Sequence, residues 1–209
     1  MVFQLTDELI FPNPELSEDD GLLAIGGDLS LNRLLLAYEN GIFPWFNEDD
    51  PILWYCPPQR FVLYPKEIKI SKSMRKVIKS GIYKITYNTV FKDVILNCAN
   101  TFRDGQNGTW INNLMIDSYV NLHKKGFAHS IEVWDDDELV GGLYGVLMNG
   151  VFCGESMFAK KSNASKVALI WLCENAKISL IDCQIHTSHL ESMGAVLIDR
   201  SAFLEVLRK

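Results

Sequence analysis

Nothing in the 209-residue chain approaches the run of about 18 apolar residues that crosses a bilayer, and the first residues lack the basic-then-apolar pattern of an export signal. A cytoplasmic protein with no membrane partner is expected. The five cysteines, Cys56, Cys98, Cys153, Cys173 and Cys183, are odd in number and follow no repeating spacing. That argues against a disulfide framework and for free thiols in a reducing compartment. An excess of positive charge is also missing: 20 Lys and Arg against 26 Asp and Glu give a formal net charge of -6. A protein that coats nucleic acid by bulk charge is excluded, so any contact with phosphates must come from a local patch. Cys183, His186 and His189 are spaced like metal ligands, but a structural zinc takes four ligands and no second pair lies nearby. No metal and no cofactor is expected.

What is present is an ordinary globular composition, 48% hydrophobic and 22% charged. The first sixty or so residues are rich in turn formers and aromatics, with one helix predicted over 31–40, capped by Ser30 and ended by Gly41, and short strands over 52–55 and 60–64. After Pro65 the pattern becomes regular. A helix around Met74, Val77 and Ile78 closes at Gly81, a strand follows over 82–87, and helices follow over 90–99 and 112–125. Two hairpins come next, 130–134 with 138–148 and, across Asn149-Gly150, the return from Val151. A nearly all-apolar helix is predicted over 166–176, a central strand over 180–184, and two short helices at the close. The expected organisation is α/β (α+β): a small N-terminal domain over 1–64 and a larger domain over 65–209 with a mostly antiparallel sheet. By analogy, that succession is the one found in the acetyltransferase-like (GNAT-like) fold.

Several residues could carry chemistry. Asp182 and Gln184 stand two apart on a strand, so alternation puts them on one face with Cys183 opposite, facing the core. A carboxylate beside a carboxamide can orient it, and the amide oxygen could then accept a proton from an amine; a purely structural pair is the other reading. Glu155 lies in the apolar strand Gly154-Glu155-Ser156-Met157-Phe158, where a buried acid needs a partner or a task, a salt bridge to a lysine being the plain alternative. Phe152, Met157, Leu169, Leu172 and Ile181 are core candidates that could line an apolar pocket, with Gly154 leaving room. Trp45 and Trp110 sit in loop-like segments and could pack domains together or stack on a base. Lys66 to Lys84 holds seven cations and one acid, Glu67, and reads as a solvated helix face or a phosphate-binding patch.

Taken together, these strings resemble the leucyl/phenylalanyl-tRNA-protein transferases. The resemblance is carried by GLLAIGGDLS over 21–30, GIFPWF over 41–46, Thr109-Trp110-Ile111, AHSIEVW over 128–134, LVGGLYG over 139–145, GESMF over 154–158, NASK over 163–166 and LIDCQ over 180–184. It implies an enzyme that moves leucine or phenylalanine, and methionine less well, from aminoacyl-tRNA to proteins beginning with arginine or lysine, marking them for degradation. It further implies that Gln184 accepts the proton of the attacking amine, that Asp182 orients and polarises Gln184, and that Glu155 helps fix the reacting ends. Trp45 and Trp110 would hold the terminal adenosine, and Lys72, Arg75, Lys76 and Lys79 would meet the acceptor stem. A monomer is the default expectation.

The chain departs from the family's usual wording at Tyr55-Cys56-Pro57-Pro58, at Ala159 and at Ala176, the last expected near the pocket. Two rivals stand beside the resemblance. An enzyme using acyl-coenzyme A would need a glycine-rich turn at a helix start, and Lys160 to Ser165 has no glycine. A binding module for tRNA or protein N-termini would keep its function without Asp182 and Gln184.

Overall fold

The computed structural model describes residues 2–101 and 109–209. In chain order these form β1 (Phe3–Leu5), β2 (Leu22–Gly26), α1 (Leu31–Glu39), β3 (Phe43–Pro44), β4 (Leu53–Tyr55) and β5 (Gln59–Leu63). There follow α2 (Lys72–Ser80), β6 (Lys84–Tyr87), α3 (Phe91–Ala99), α4 (Asn113–Lys124), β7 (Ala128–Asp135), β8 (Glu138–Met148) and β9 (Val151–Ala159). The last elements are α5 (Ala164–Asn175), β10 (Leu180–Gln184), α6 (Ser188–Ser192), β11 (Val196–Asp199) and α7 (Arg200–Leu207). Local chemistry sets many of these limits. Ser30, Ser71 and Asn112 accept the main-chain N–H of Arg33, Met74 and Met115 and so cap α1, α2 and α4. Gly81 ends α2 at φ 65°, a left-handed conformation that costs glycine least. Asn149 and Gly150, at φ 48° and 77°, join β8 to β9 as a tight hairpin requires.

Two sheets result, a small one in the order β1-β2-β4-β3 and a large one in the order β11-β5-β10-β9-β8-β7-β6. Pairing is antiparallel except between β1 and β2 and between β9 and β10. The fold is therefore mixed α/β with mostly antiparallel sheets. Side chains alternate between two cores. Val62, Leu180 and Cys153 join α1, α3, α4 and α7 on one face, while Phe61, Ile181 and Phe152 join α2 and α5 on the other.

Two expectations need correction. The two short helices at the close are separated by β11, which pairs with β5; its apolar stretch, Val196-Leu197-Ile198, is too short for periodicity to separate strand from helix. Strict alternation along β10 also fails. Asp182 lies opposite Val62, yet Gln184 lies opposite Phe61, so Cys183 is the extra residue of a bulge. Up to Cys183 alternation holds, for Cys183 packs against the core opposite the one that Val62 enters and also lines a cavity; beyond it the bulge, not alternation, sets where Gln184 points. Among the described residues no helix is long and apolar enough to cross a membrane.

Candidate active site

The parallel pairing of β9 with β10 runs from Leu180↔Val151 to Asp182↔Cys153, and β9 continues well beyond it. A cavity of about 510 Å³ lies there. Leu143, Phe152, Met157, Leu169, Leu172 and Ile181 form its apolar part, and Glu155, Asp182 and Gln184 its polar part. Trp45 and Trp110 line the same cavity, so one space gathers all the apolar and acidic candidates and both tryptophans. Gly154 is placed where a Cβ would come 3.5 Å from the Asp182 carbonyl oxygen, an ordinary contact. Its hydrogen therefore leaves volume to the cavity. Ala176 is absent from the lining and belongs to the core around α5, contrary to expectation.

Two bulges aim the polar groups. On β9, Tyr144 lies opposite Ser156 and Gly145 opposite Gly154, which leaves Glu155 as the unpaired extra residue. The second bulge is the one at Cys183, and it is followed by Gln184 at φ 61°, a conformation uncommon outside glycine. The Gln184 N–H donates to Asp182 Oδ1 at 2.9 Å, which holds this turn in place. The Gln184 side chain goes elsewhere, donating from Nε2 to Glu155 Oε1 at 3.0 Å. Asp182 thus fixes the Gln184 main chain and Glu155 orients its carboxamide, a division of labour that spacing alone assigned wholly to Asp182.

Asp182 has its own partner. Arg60 on β5 donates from Nε to Oδ1 at 2.8 Å and from Nη2 to Oδ2 at 2.7 Å, with both side chains buried. The guanidinium lies between the rings of Phe43 and Phe203, 4.7 and 4.6 Å from their centroids. Burial alone would lower the Arg60 pKa, but the Asp182 carboxylate outweighs it and the value lies above the ordinary one. Arg60 remains a cation.

Among the described residues Glu155 meets no lysine; its partners besides Gln184 are phenols. Tyr38 from α1 donates to Oε1 at 2.7 Å, Tyr119 from α4 lies 3.2 Å from Oε2, and the two phenols are hydrogen-bonded to each other. Burial pushes the Glu155 carboxyl up to about 7 against the opposing pull of the bonds from Tyr38, Tyr119 and Gln184. Burial likewise raises the Cys183 thiol, so it is no ready nucleophile. Among the described residues no three His, Cys, Asp or Glu side chains are grouped to hold a metal ion, and His186 contacts Glu191.

Arg60, Tyr38, Tyr119 and Phe203 were not singled out from sequence. Arg60 could have been, as a charge inside the apolar strand Arg60-Phe61-Val62-Leu63. The tyrosines gave no such signal, because each occupies a core position of its helix. Lys72, Arg75, Lys76 and Lys79 are exposed on α2 and take no part in the cavity lining.

Comparison with known proteins gives the family. The family model described as leucyl/phenylalanyl-tRNA protein transferase matches residues 62–208, and the model of that family's N-terminal domain matches residues 27–58. A leucyl/phenylalanyl-tRNA protein transferase of Flavobacterium psychrophilum is 57% identical over 208 residues, covering 98% of this chain and 99% of its own length. One from Syntrophobacter fumaroxidans is 53% identical over 209 residues, covering 99% of this chain and 89% of that protein. Among solved structures, a GCN5-related N-acetyltransferase from Kribbella flavida aligns with a TM-score of 0.40 at 8% identity, over 76% of this chain and 57% of its own.

Proposed function

Because the chain belongs to the leucyl/phenylalanyl-tRNA protein transferase family, we propose that the cavity between β9 and β10 is where aminoacyl-tRNA gives up leucine or phenylalanine to a protein N-terminus. The observation that carries this reading is a single cavity, apolar at one part and hydrogen-bonding at the other, with the Gln184 carboxamide held by Glu155. Leucine, phenylalanine and methionine share an unbranched Cβ, and Phe152, Met157, Leu169, Leu172 and Ile181 offer the apolar wall they need. Apolar selection of this kind reaches about 1 to 3 kcal/mol per methylene. With its Nε2 engaged by Glu155, Gln184 presents its Oε1 to the attacking amine as a hydrogen-bond acceptor. Asp182 and Arg60 keep the Gln184 turn in place. The ester of aminoacyl-tRNA is already activated, so positioning supplies much of the rate and no cofactor is required.

The remaining assignments belong to the same reading. Trp45, 38% exposed, and Trp110 stack on the terminal adenosine, and Lys72, Arg75, Lys76 and Lys79 meet the acceptor stem. The acceptors are proteins beginning with arginine or lysine, whose cations suit a chain of net charge -6. They are thereby marked for degradation in the cytoplasm. Residues 1–64 form a small domain and 65–209 the catalytic one, supported by the separate four-stranded sheet, although β5 reaches into the large one. The enzyme works as a monomer.

The test is transfer of labelled leucine from leucyl-tRNA to peptides beginning with arginine or alanine, with the native protein and Gln184→Ala. Label on the arginine peptide alone, strongly reduced in the variant, is expected. Transfer undiminished in Gln184→Ala removes Gln184 from the centre of the site. No transfer from any charged tRNA would leave a binding module.

A further inference from the structure

Around Glu155, three oxygen-to-oxygen contacts have only two phenolic hydrogens to fill them. Tyr38 Oη donates to Oε1 at 2.7 Å, Tyr119 Oη lies 3.2 Å from Oε2, and the two phenol oxygens are in hydrogen-bond contact with each other. A phenol owns one hydrogen and a carboxylate none. If Tyr38 donates to Oε1, Tyr119 can donate to Tyr38 or to Oε2, but not to both. A proton on Oε2 completes the set: Oε2 donates to Tyr119, Tyr119 to Tyr38, and Tyr38 to Oε1. Tyr38 is 1% exposed and Tyr119 0%, so water has little access to the phenol oxygens to make up the deficit.

We infer that Glu155, positioned by Tyr38 and Tyr119, is the proton acceptor of the transfer step, closing this three-oxygen ring when it takes the proton. The inference rests on the transferase reading above. The nitrogen lone pair of the acceptor's α-amine forms a bond to the ester carbonyl carbon, and the carbon–oxygen bond to the ribose breaks with its electrons left on the ribose oxygen. The proton shed by nitrogen goes to the Glu155 carboxylate and then to that ribose oxygen, so the ring ends as it began. Gln184 cannot stand in for it. A neutral amide oxygen accepts a hydrogen bond but is too weak a base to hold a proton near neutral pH, whereas a carboxyl raised to about 7 exchanges one at little cost.

The surrounding groups leave Glu155 as the one that titrates. Tyr38 on α1 and Tyr119 on α4 are both pushed well above the ordinary phenol value, by burial first and then by the Glu155 charge. Tyr144 on β8 faces Tyr119, and Cys153 on β9 is raised by burial and by Asp182. From β10, Asp182 adds a negative charge that raises Glu155 further, and the nearby cation, Arg60 on β5, is committed to Asp182.

The experiment is the pH profile of kcat/KM for leucyl transfer to an arginine-initiated peptide, in the native enzyme, Tyr38→Phe, Tyr119→Phe and Glu155→Gln. Each tyrosine change breaks the ring and removes a hydrogen-bond partner of the carboxyl, so the acid limb should be displaced by about one pH unit. Glu155→Gln should lose that limb and most of the activity. The limb due to the peptide's own α-amine stays where the peptide sets it. An acid limb unmoved in both tyrosine variants overturns the inference and leaves the transferase reading standing, while absence of transfer at every pH overturns both. Infrared spectroscopy checks the proton without turnover. A carboxylic acid band that titrates near neutrality, vanishes in Glu155→Gln and is displaced in Tyr119→Phe is expected, and a Glu155 already ionised at about pH 5.5 refutes the ring.

Discussion

Replacing Asp182 by asparagine keeps its shape and removes its charge, which isolates what the carboxylate does for Arg60. Both hydrogen bonds of the pair, 2.8 and 2.7 Å, lie in a region where neither side chain is more than 1% exposed. An asparagine Oδ1 could still accept from Arg60 Nε and the Gln184 N–H, but its amide nitrogen would direct a donor at Arg60 Nη2, itself a donor. A buried cation left without its partner costs about 3 to 5 kcal/mol. Phe43 and Phe203 remain against the guanidinium, so the lower end, about 3 kcal/mol, is expected. With a urea dependence of about 2 to 3 kcal/mol per molar, the unfolding midpoint should fall by roughly 1 M. A companion pair, Arg60→Met with Asp182→Leu, should recover most of that stability, since well-packed apolar replacements of buried ion pairs are often neutral. Transfer should not recover, because the Gln184 N–H has lost its acceptor. A midpoint for Asp182→Asn within about 0.3 M of native, or a stable double variant that transfers at the native rate, would refute the reasoning.

Glu155 also makes stability depend on pH. Its folded value of about 7 exceeds its ordinary 4.5, so between those pH values the native state binds more protons than the unfolded one. The stability contributed by Glu155 is therefore fully present below about 4.5 and is lost as pH rises through 7, by on the order of 3 kcal/mol; the difference between thermal melts of the native protein and Glu155→Gln should show this loss. Glycine changes on neighbouring strands should separate fold from selectivity. A Cβ at Gly145 would come 2.3 Å from the Cys153 carbonyl oxygen, so Gly145→Ala should destabilise by about 1 to 3 kcal/mol in chemical denaturation. Gly154→Ala meets only an ordinary contact, so it should fold normally yet lower phenylalanine transfer more than leucine transfer, by roughly tenfold in kcat/KM. On α2, Arg75, Lys76 and Lys79 are exposed, and changing all three to alanine should flatten the slope of log affinity for leucyl-tRNA against log salt.

Elements whose signals are local were readable from sequence: capped helices, the Asn149-Gly150 turn, and the apolar α5. The apolar side chains of the cavity were also readable, because an apolar strand followed by an apolar helix leaves few alternatives for Phe152, Leu169 and Ile181. What alternation could not show was the pair of bulges. An extra residue at Glu155 and another at Cys183 change which face the following side chains occupy, and neither stands out in composition. The partners of the acidic groups were hidden for a different reason. Tyr38 and Tyr119 satisfy helical periodicity as core residues, and their hydroxyls acquire meaning only when α1 and α4 pack beside β9.

The contacts that make the site differ in chain separation from those that make the sheet. β7, β8 and β9 are joined by tight turns, whereas Arg60 and Asp182 are 122 residues apart and Tyr38 and Glu155 are 117 apart. Loop closure over such distances is slow, so the hairpins should form in the folding nucleus and the acidic cluster should lock afterwards. Substitutions at Tyr38 or Arg60 should accordingly speed unfolding while leaving the folding rate near native. A chain with its hairpins formed but its distant segments undocked would have a sheet and no competent centre, so transfer capacity arrives only with the last stage of folding.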